Sequence, residues 1–153
     1  MFSTCPGIIP SLDVDIDEEV KLSSEISELE REISGLKIGS VLAWNHGLPK
    51  VVKELRKVNN CPIIFDAQKA GTDIPEIVKE QVKVVANANI DAFIASPLGA
   101  GSSTLEAFID SCFKYNIVPI VVLEMTHPNF DAFLAKHAPE AVLKQSLEQD
   151  VAS

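Results

Sequence analysis

The sequence predicts an α/β protein whose strands run parallel, and three observations carry that expectation. Five apolar runs recur at intervals of roughly 25 to 30 residues, the length of one strand followed by one helix. The runs are continuous in Ile, Val and Leu, as in a parallel sheet covered on both faces. Between them, apolar residues return at three- and four-residue spacing, the period of a helix lying on a core. Repeated βα units leave two architectures, an open doubly wound sheet or a (β/α)8 barrel. Eight units need roughly 200 residues or more, and the chain has 153. A barrel would therefore be incomplete in this chain, with about five units.

The elements follow in order. Gly7–Val14 reads as the first strand, and Leu22, Ile26, Leu29 and Ile33 form the stripe of the helix after it, with Asp15 or Asp17 as its cap. Leu36–Gly39 is the second strand, followed by the stripe Leu48, Val51, Val52 and Leu55. Cys61–Asp66 is the third, followed by Ile77, Val78, Val82 and Val85. Ile90–Ser96 is the fourth, and the cap region Gly101-Ser102-Ser103 opens a helix carrying Leu105, Phe108, Ile109 and Cys112. Ile117–Glu124 is the fifth, and Phe130, Phe133, Leu134 and His137 suit a helix that Pro139 interrupts before a last amphipathic stretch to Ser153. Trp44 and the phenylalanines of these stripes are expected in the core. His46 and His137 are expected as surface or packing residues, and His127 as the residue that orders a strand-end loop. With no linker or low-complexity segment, residues 1–153 read as one domain.

Composition removes several classes of function. A net charge of -9 and a pI near 4.7 leave no basic surface for nonspecific nucleic-acid binding. No apolar run approaches the ~18 residues of a membrane span. The opening MFSTCPGIIP has neither the basic nor the long apolar region of a secretory signal. Cys5, Cys61 and Cys112 are odd in number and contain no CxxC pair, which points to reduced thiols in a cytoplasmic protein.

In parallel α/β proteins, ligands bind at the carboxyl ends of the strands. Those ends carry Ser11-Leu12-Asp13, Lys37, Asp66-Ala67-Gln68-Lys69, Ser96-Pro97 and Glu124-Met125-Thr126-His127-Pro128. Polar loops are ordinary there, but Lys37 is not. It sits inside the apolar strand LKIG, where a lysine without a partner is desolvated at high cost. Asp66 on the next strand is its natural partner, and a plain buried ion pair or a snorkelling side chain is the structural alternative.

KIG, then an apolar strand ending in DAQKAGTDIP, then EMTHP resembles the orotidine 5′-monophosphate decarboxylase family, from Ile8 to about Ser153. The resemblance implies a TIM barrel, here lacking its last strands, with no metal or organic cofactor. It matches Asp13 to an aspartate that hydrogen-bonds the substrate ribose. Lys37, Asp66, Lys69 and Asp73 match an alternating catalytic array, whose last aspartate reaches into the other subunit of a homodimer. Ile74 of the DIP turn and Thr126, at a position that contacts the pyrimidine, complete the implied substrate site. The spacing Asp66-x-x-Lys69-x-x-x-Asp73 is two residues longer than the common pattern, and Gly71 is placed to supply an unusual backbone torsion there. Ile77 stands where many relatives have a threonine that crosses the dimer interface. The family grips phosphate after its seventh and eighth strands with a glycine-rich turn and an arginine. Neither Arg31 nor Arg56, both on helix-like stretches, matches that arginine, so little turnover is expected from the 153 residues alone.

The chemistry of such an array can be stated independently. Loss of CO2 from C6 of orotidylate leaves a carbanion with poor delocalisation, so the barrier is high. A fixed carboxylate faces the departing carboxylate, and an adjacent ammonium stabilises the developing charge and protonates C6. Two other readings stand beside this one. The first is a magnesium-dependent lyase or aldolase of the same superfamily acting on a keto sugar phosphate. The second is a non-catalytic remnant that folds with a partner chain.

Overall fold

The computed structural model describes residues 7–27, 33–68, 70–96, 100–122 and 128. Five strands, β1 (Ser11–Leu12), β2 (Leu36–Gly39), β3 (Ile63–Asp66), β4 (Ala92–Ala95) and β5 (Val118–Val121), form one parallel sheet in the order β1-β2-β3-β4-β5. A doubly wound sheet reverses its strand order at a switch point. Here the order follows the chain throughout, as in a barrel built one unit at a time.

Between the strands lie α1 (Ile16–Ser27), α2 (Ser40–His46), α3 (Leu48–Leu55), α4 (Pro75–Asn87) and α5 (Ser102–Lys114). Strand alternation divides the sheet into two faces. Ile38, Ile63, Phe65, Phe93 and Ala95 belong to the core shared with the helices. It follows that Lys37, Ile64, Asp66, Ala92 and Ile94 point to the other face. Across that face the register runs Ser11, Lys37, Ile64, Ala92, Val118 in one row and Gly39, Asp66, Ile94, Ile120 in the next. The helical side is closely packed by Val51, Val52, Leu55, Val78, Val82, Val85, Phe108 and Cys112, each at most 3% exposed. Burial pushes the Cys112 thiol up to about 12, which keeps it protonated and inert, as expected of a small core residue.

Four expectations are corrected. The first strand shrinks from Gly7–Val14 to Ser11–Leu12, because Pro10 has no N–H to donate; upstream, only an isolated bridge joins Ile8 to Ile33. Ile33 is therefore part of a strand-like contact rather than a helical stripe. The buried side of α1 is set by Ile16 and Ser23, while Leu22 is 38% exposed. The short helix α2 was not foreseen, and it leaves Trp44 77% exposed while burying Leu42 and Ala43. The proposed helix around Phe130–His137, the stretch to Ser153, Cys5, Arg31 and His127 lie outside the described residues.

Arg56 follows α3 and clamps the amino ends of two strands. Its guanidinium donates to the Cys61 carbonyl (2.6 Å) and to the Asp91 carboxylate, which also accepts the Ile63 N–H at 2.6 Å. This is the end of the sheet opposite Asp66, so Arg56 has a structural task. Among the described residues, no helix is long and apolar enough to cross a membrane.

Candidate active site

The sequence places its ionisable side chains at the carboxyl ends of β1 to β3. On β2, Lys37 is flanked by Leu36 and Ile38, both fully buried on the opposite face. Alternation turns the lysine onto the face away from the helices, and register sets Gly39, two residues on, beside Asp66. The lysine therefore reaches along its own strand and across to β3. Its Nζ lies 2.7 Å from Asp66 Oδ2, with the side chains 30% and 10% exposed. That is the charge-assisted geometry of a strong ion pair.

Asp66 is only half satisfied. Its Oδ1 is buried and has no hydrogen-bond partner among the described residues. An unpaired buried carboxylate oxygen is costly, so the site holds an acceptor in a position that stability alone does not favour. Asp13 sits just past β1, exposed, with Oδ2 accepting from Ser11 Oγ at 2.9 Å.

The loop between β3 and α4 is pinned from below rather than loose. Ala70 N–H donates to the Ala67 carbonyl (2.6 Å), and the Ser96 N–H beyond β4 donates to the Ala70 carbonyl at 3.1 Å. Gly71 then turns with φ +75°, the left-handed torsion the longer loop was expected to need. An added Cβ there would meet the Ala95 Cβ at 3.0 Å, so the torsion requires glycine and the tight space adds to the demand. Thr104 Oγ1, in the first turn of α5, donates to the Asp73 carbonyl at 3.1 Å. The β4–α5 unit thus holds the backbone of this loop at Ala70 and again at Asp73. The carboxylate of Asp73 is exposed and accepts the N–H of Ile74 at 2.7 Å, and Ile74 is itself 59% exposed.

Of the seven residues singled out in the sequence, the structure joins Lys37 directly to Asp66 and places Asp13 beyond the neighbouring strand. Asp73 and Ile74 lie at the rim, leading into α4. Lys69 and Thr126 are outside the described residues. Sequence reasoning missed the contribution of Ser11 and Gly39, although an S-x-D ending one strand and a glycine ending the next were both visible. Asp15, one of the two caps expected for the first helix, accepts the Asp17 N–H at 3.5 Å at the start of α1, and what sequence reasoning missed is that it also faces His46, 3.8 Å from Nε2. Among the described residues, no group of three His, Cys, Asp or Glu side chains is placed to hold a metal ion.

Parallel βα units in sequential order, with a lysine–aspartate pair at the carboxyl ends of adjacent strands, define a partial TIM-barrel protein with a charged strand-end site. A family model described as orotidine 5'-phosphate decarboxylase / HUMPS family matches residues 6–152, and the chain belongs to that family. The orotidine 5'-phosphate decarboxylase of Methanocaldococcus jannaschii is 28% identical over 134 residues, covering 84% of this chain and 57% of the relative. The crystal structure of the M. jannaschii enzyme complexed with the inhibitor BMP superposes with a TM-score of 0.73 at 28% identity, covering 86% of this chain and 58% of that one. The Sulfolobus solfataricus enzyme, at 19% identity and TM-score 0.65 over 94% of this chain and 63% of its own, shares the fold. The chain thus spans a little over half the length of the M. jannaschii relative it matches.

Proposed function

We propose that the chain carries the catalytic array of an orotidine 5'-monophosphate decarboxylase, a cytoplasmic enzyme of pyrimidine synthesis that forms UMP without a cofactor. The observation that supports this best is the Lys37–Asp66 pair, in which the second carboxylate oxygen has no partner among the described residues. A pair built only for stability would satisfy both oxygens. In this reading Asp66 faces the substrate carboxylate. The C6–CO2 bond breaks and leaves its electron pair on C6, and a neighbouring ammonium of the array delivers the proton that completes UMP. Lys37 holds Asp66 oriented, Lys69 and Asp73 extend the array, Asp13 accepts from the ribose, and Ile74 and Thr126 line the substrate site.

The decisive measurement is release of labelled CO2 from orotidine 5'-monophosphate carrying the label in its carboxylate. Slow release above the uncatalysed background is expected from the chain alone. Absence of any release overturns the catalytic reading.

The reading includes a homodimer in which Asp73 serves the opposite site. Its support is the position of Asp73 at the rim, beside exposed Ile74 and Ile77 at the start of α4, with Val41 and Trp44 exposed on one side of α2. Apolar pairs of this kind at a site's edge mark a surface that another chain covers. Sedimentation equilibrium is expected to give a dimer that Trp44→Lys or Ile77→Lys dissociates. A monomer at all concentrations removes this part of the proposal.

A further inference from the structure

We propose that Ser11 and Gly39 form a seat for the Asp13 carboxylate and are positioning residues of the site. This rests on the reading of Asp13 as the acceptor for the substrate ribose. Gly39 ends β2 and begins α2 with φ -88° and ψ 169°, an extended conformation that any residue adopts. Backbone torsion therefore gives no reason for glycine here. Space does. A Cβ at residue 39 would fall on Asp13 Oδ1, nearer than real Cβ atoms come to any neighbour, with the carboxyl carbon at 3.6 Å. The carboxylate of Asp13 occupies the volume that residue 39 leaves empty.

The other oxygen is held from its own strand. Asp13 Oδ2 accepts from Ser11 Oγ at 2.9 Å, and Asp13 has no other side-chain partner among the described residues. Ser11 is in register with Lys37, and Gly39 with Asp66. The seat thus lays the Asp13 carboxylate over β2, the strand that separates it from Asp66. One oxygen is fixed by a hydroxyl and the other by a missing side chain, and the remaining lone pairs stay exposed for an incoming hydroxyl. None of this ties two structural elements together. The atom an alanine would displace is the tip of an exposed side chain, which can swing aside with little cost to the fold. Gly39→Ala therefore separates position from stability.

The test measures UMP binding by titration calorimetry, with thermal melts, on wild type, Asp13→Ala, Gly39→Ala, Ser11→Ala and the Asp13→Ala/Gly39→Ala double variant. Asp13→Ala and Gly39→Ala are each expected to weaken binding by roughly tenfold or more, and Ser11→Ala by about threefold. All should melt within a few degrees of wild type. The double variant is expected to bind no more weakly than Asp13→Ala alone, because the glycine acts only through the carboxylate. Binding by Gly39→Ala at the wild-type level overturns the seat, as do independent losses that multiply in the double variant or a collapsed melt of Gly39→Ala. In those cases the Asp13→Ala loss still supports the functional reading. Undiminished binding by Asp13→Ala, or no UMP binding by wild type, overturns that reading and the seat with it.

Discussion

Lys37→Met is expected to lower orotidylate turnover by at least about 10²- to 10³-fold, the usual effect of removing one preorganised charge from an active site. The same change should destabilise the fold by roughly 2–4 kcal/mol. Both consequences follow from the 2.7 Å contact with Asp66. Methionine keeps the length of the side chain but removes the ammonium, and Asp66, 10% exposed, is left with neither oxygen paired among the described residues. An uncompensated carboxylate in that position is the main source of the stability loss. Replacing Asp66 as well separates the two effects. Lys37→Met/Asp66→Leu should recover most of the melting temperature, since an apolar pair fills the site without a buried charge, while turnover stays lost. Labelled CO2 release and thermal melts on the three proteins provide the comparison. Wild-type turnover by Lys37→Met would remove Lys37 from the array.

The legible parts of the chain were those where one physical demand dominates. A strand packed under helices is largely apolar, so β2 fell on Leu36–Gly39 as expected, and β3, β4 and β5 lay inside their expected runs. Leu48, Val51, Val52 and Leu55 are all buried on α3 for the same reason. The helix α2 was illegible because its apolar residues, Val41 to Trp44, are contiguous rather than periodic, and no side chain caps it. Trp44 misled because aromatic residues are usually buried, and a seven-residue helix with one buried edge leaves the opposite side open.

The site divides in the same way. Lys37 inside an apolar strand required a partner, and strand order made Asp66 the nearest acid, so that pair could be found from sequence. Gly71 was found because a longer loop at a strand end requires an unusual torsion. Gly39 was not, since its torsion is ordinary and its meaning lies in an oxygen contributed by another strand. Nothing local to KIG records that Asp13 fills the empty position. Contacts between residues distant in sequence carry no one-dimensional signal unless burial or charge forces one.

The second large effect is Phe93→Ala, expected to cost about 3–5 kcal/mol. Against the 5–15 kcal/mol typical of a domain, that is enough to leave a substantial unfolded fraction near 37 °C. Phe93 is 2% exposed at the centre of β4 and in register with Phe65 of β3. Its ring stacks on Phe65 with centroids 5.6 Å apart and 15° between planes, and meets Phe108 of α5 edge-on at 5.5 Å and 64°. Truncation removes both aromatic contacts and opens a cavity between β3, β4 and α5, elements that also hold the loop around Lys69. Phe65 immediately precedes Asp66, so slack under Phe65 moves the carboxylate that pairs with Lys37. Turnover per folded molecule should therefore fall as well, in proportion to how far Asp66 shifts. Phe93→Leu, which fills much of the volume, should recover more than half of the stability. A melting temperature for Phe93→Ala only one or two degrees below wild type would show that the aromatic cluster is not the centre of this core, and the expected fall of about 10 °C would establish that it is.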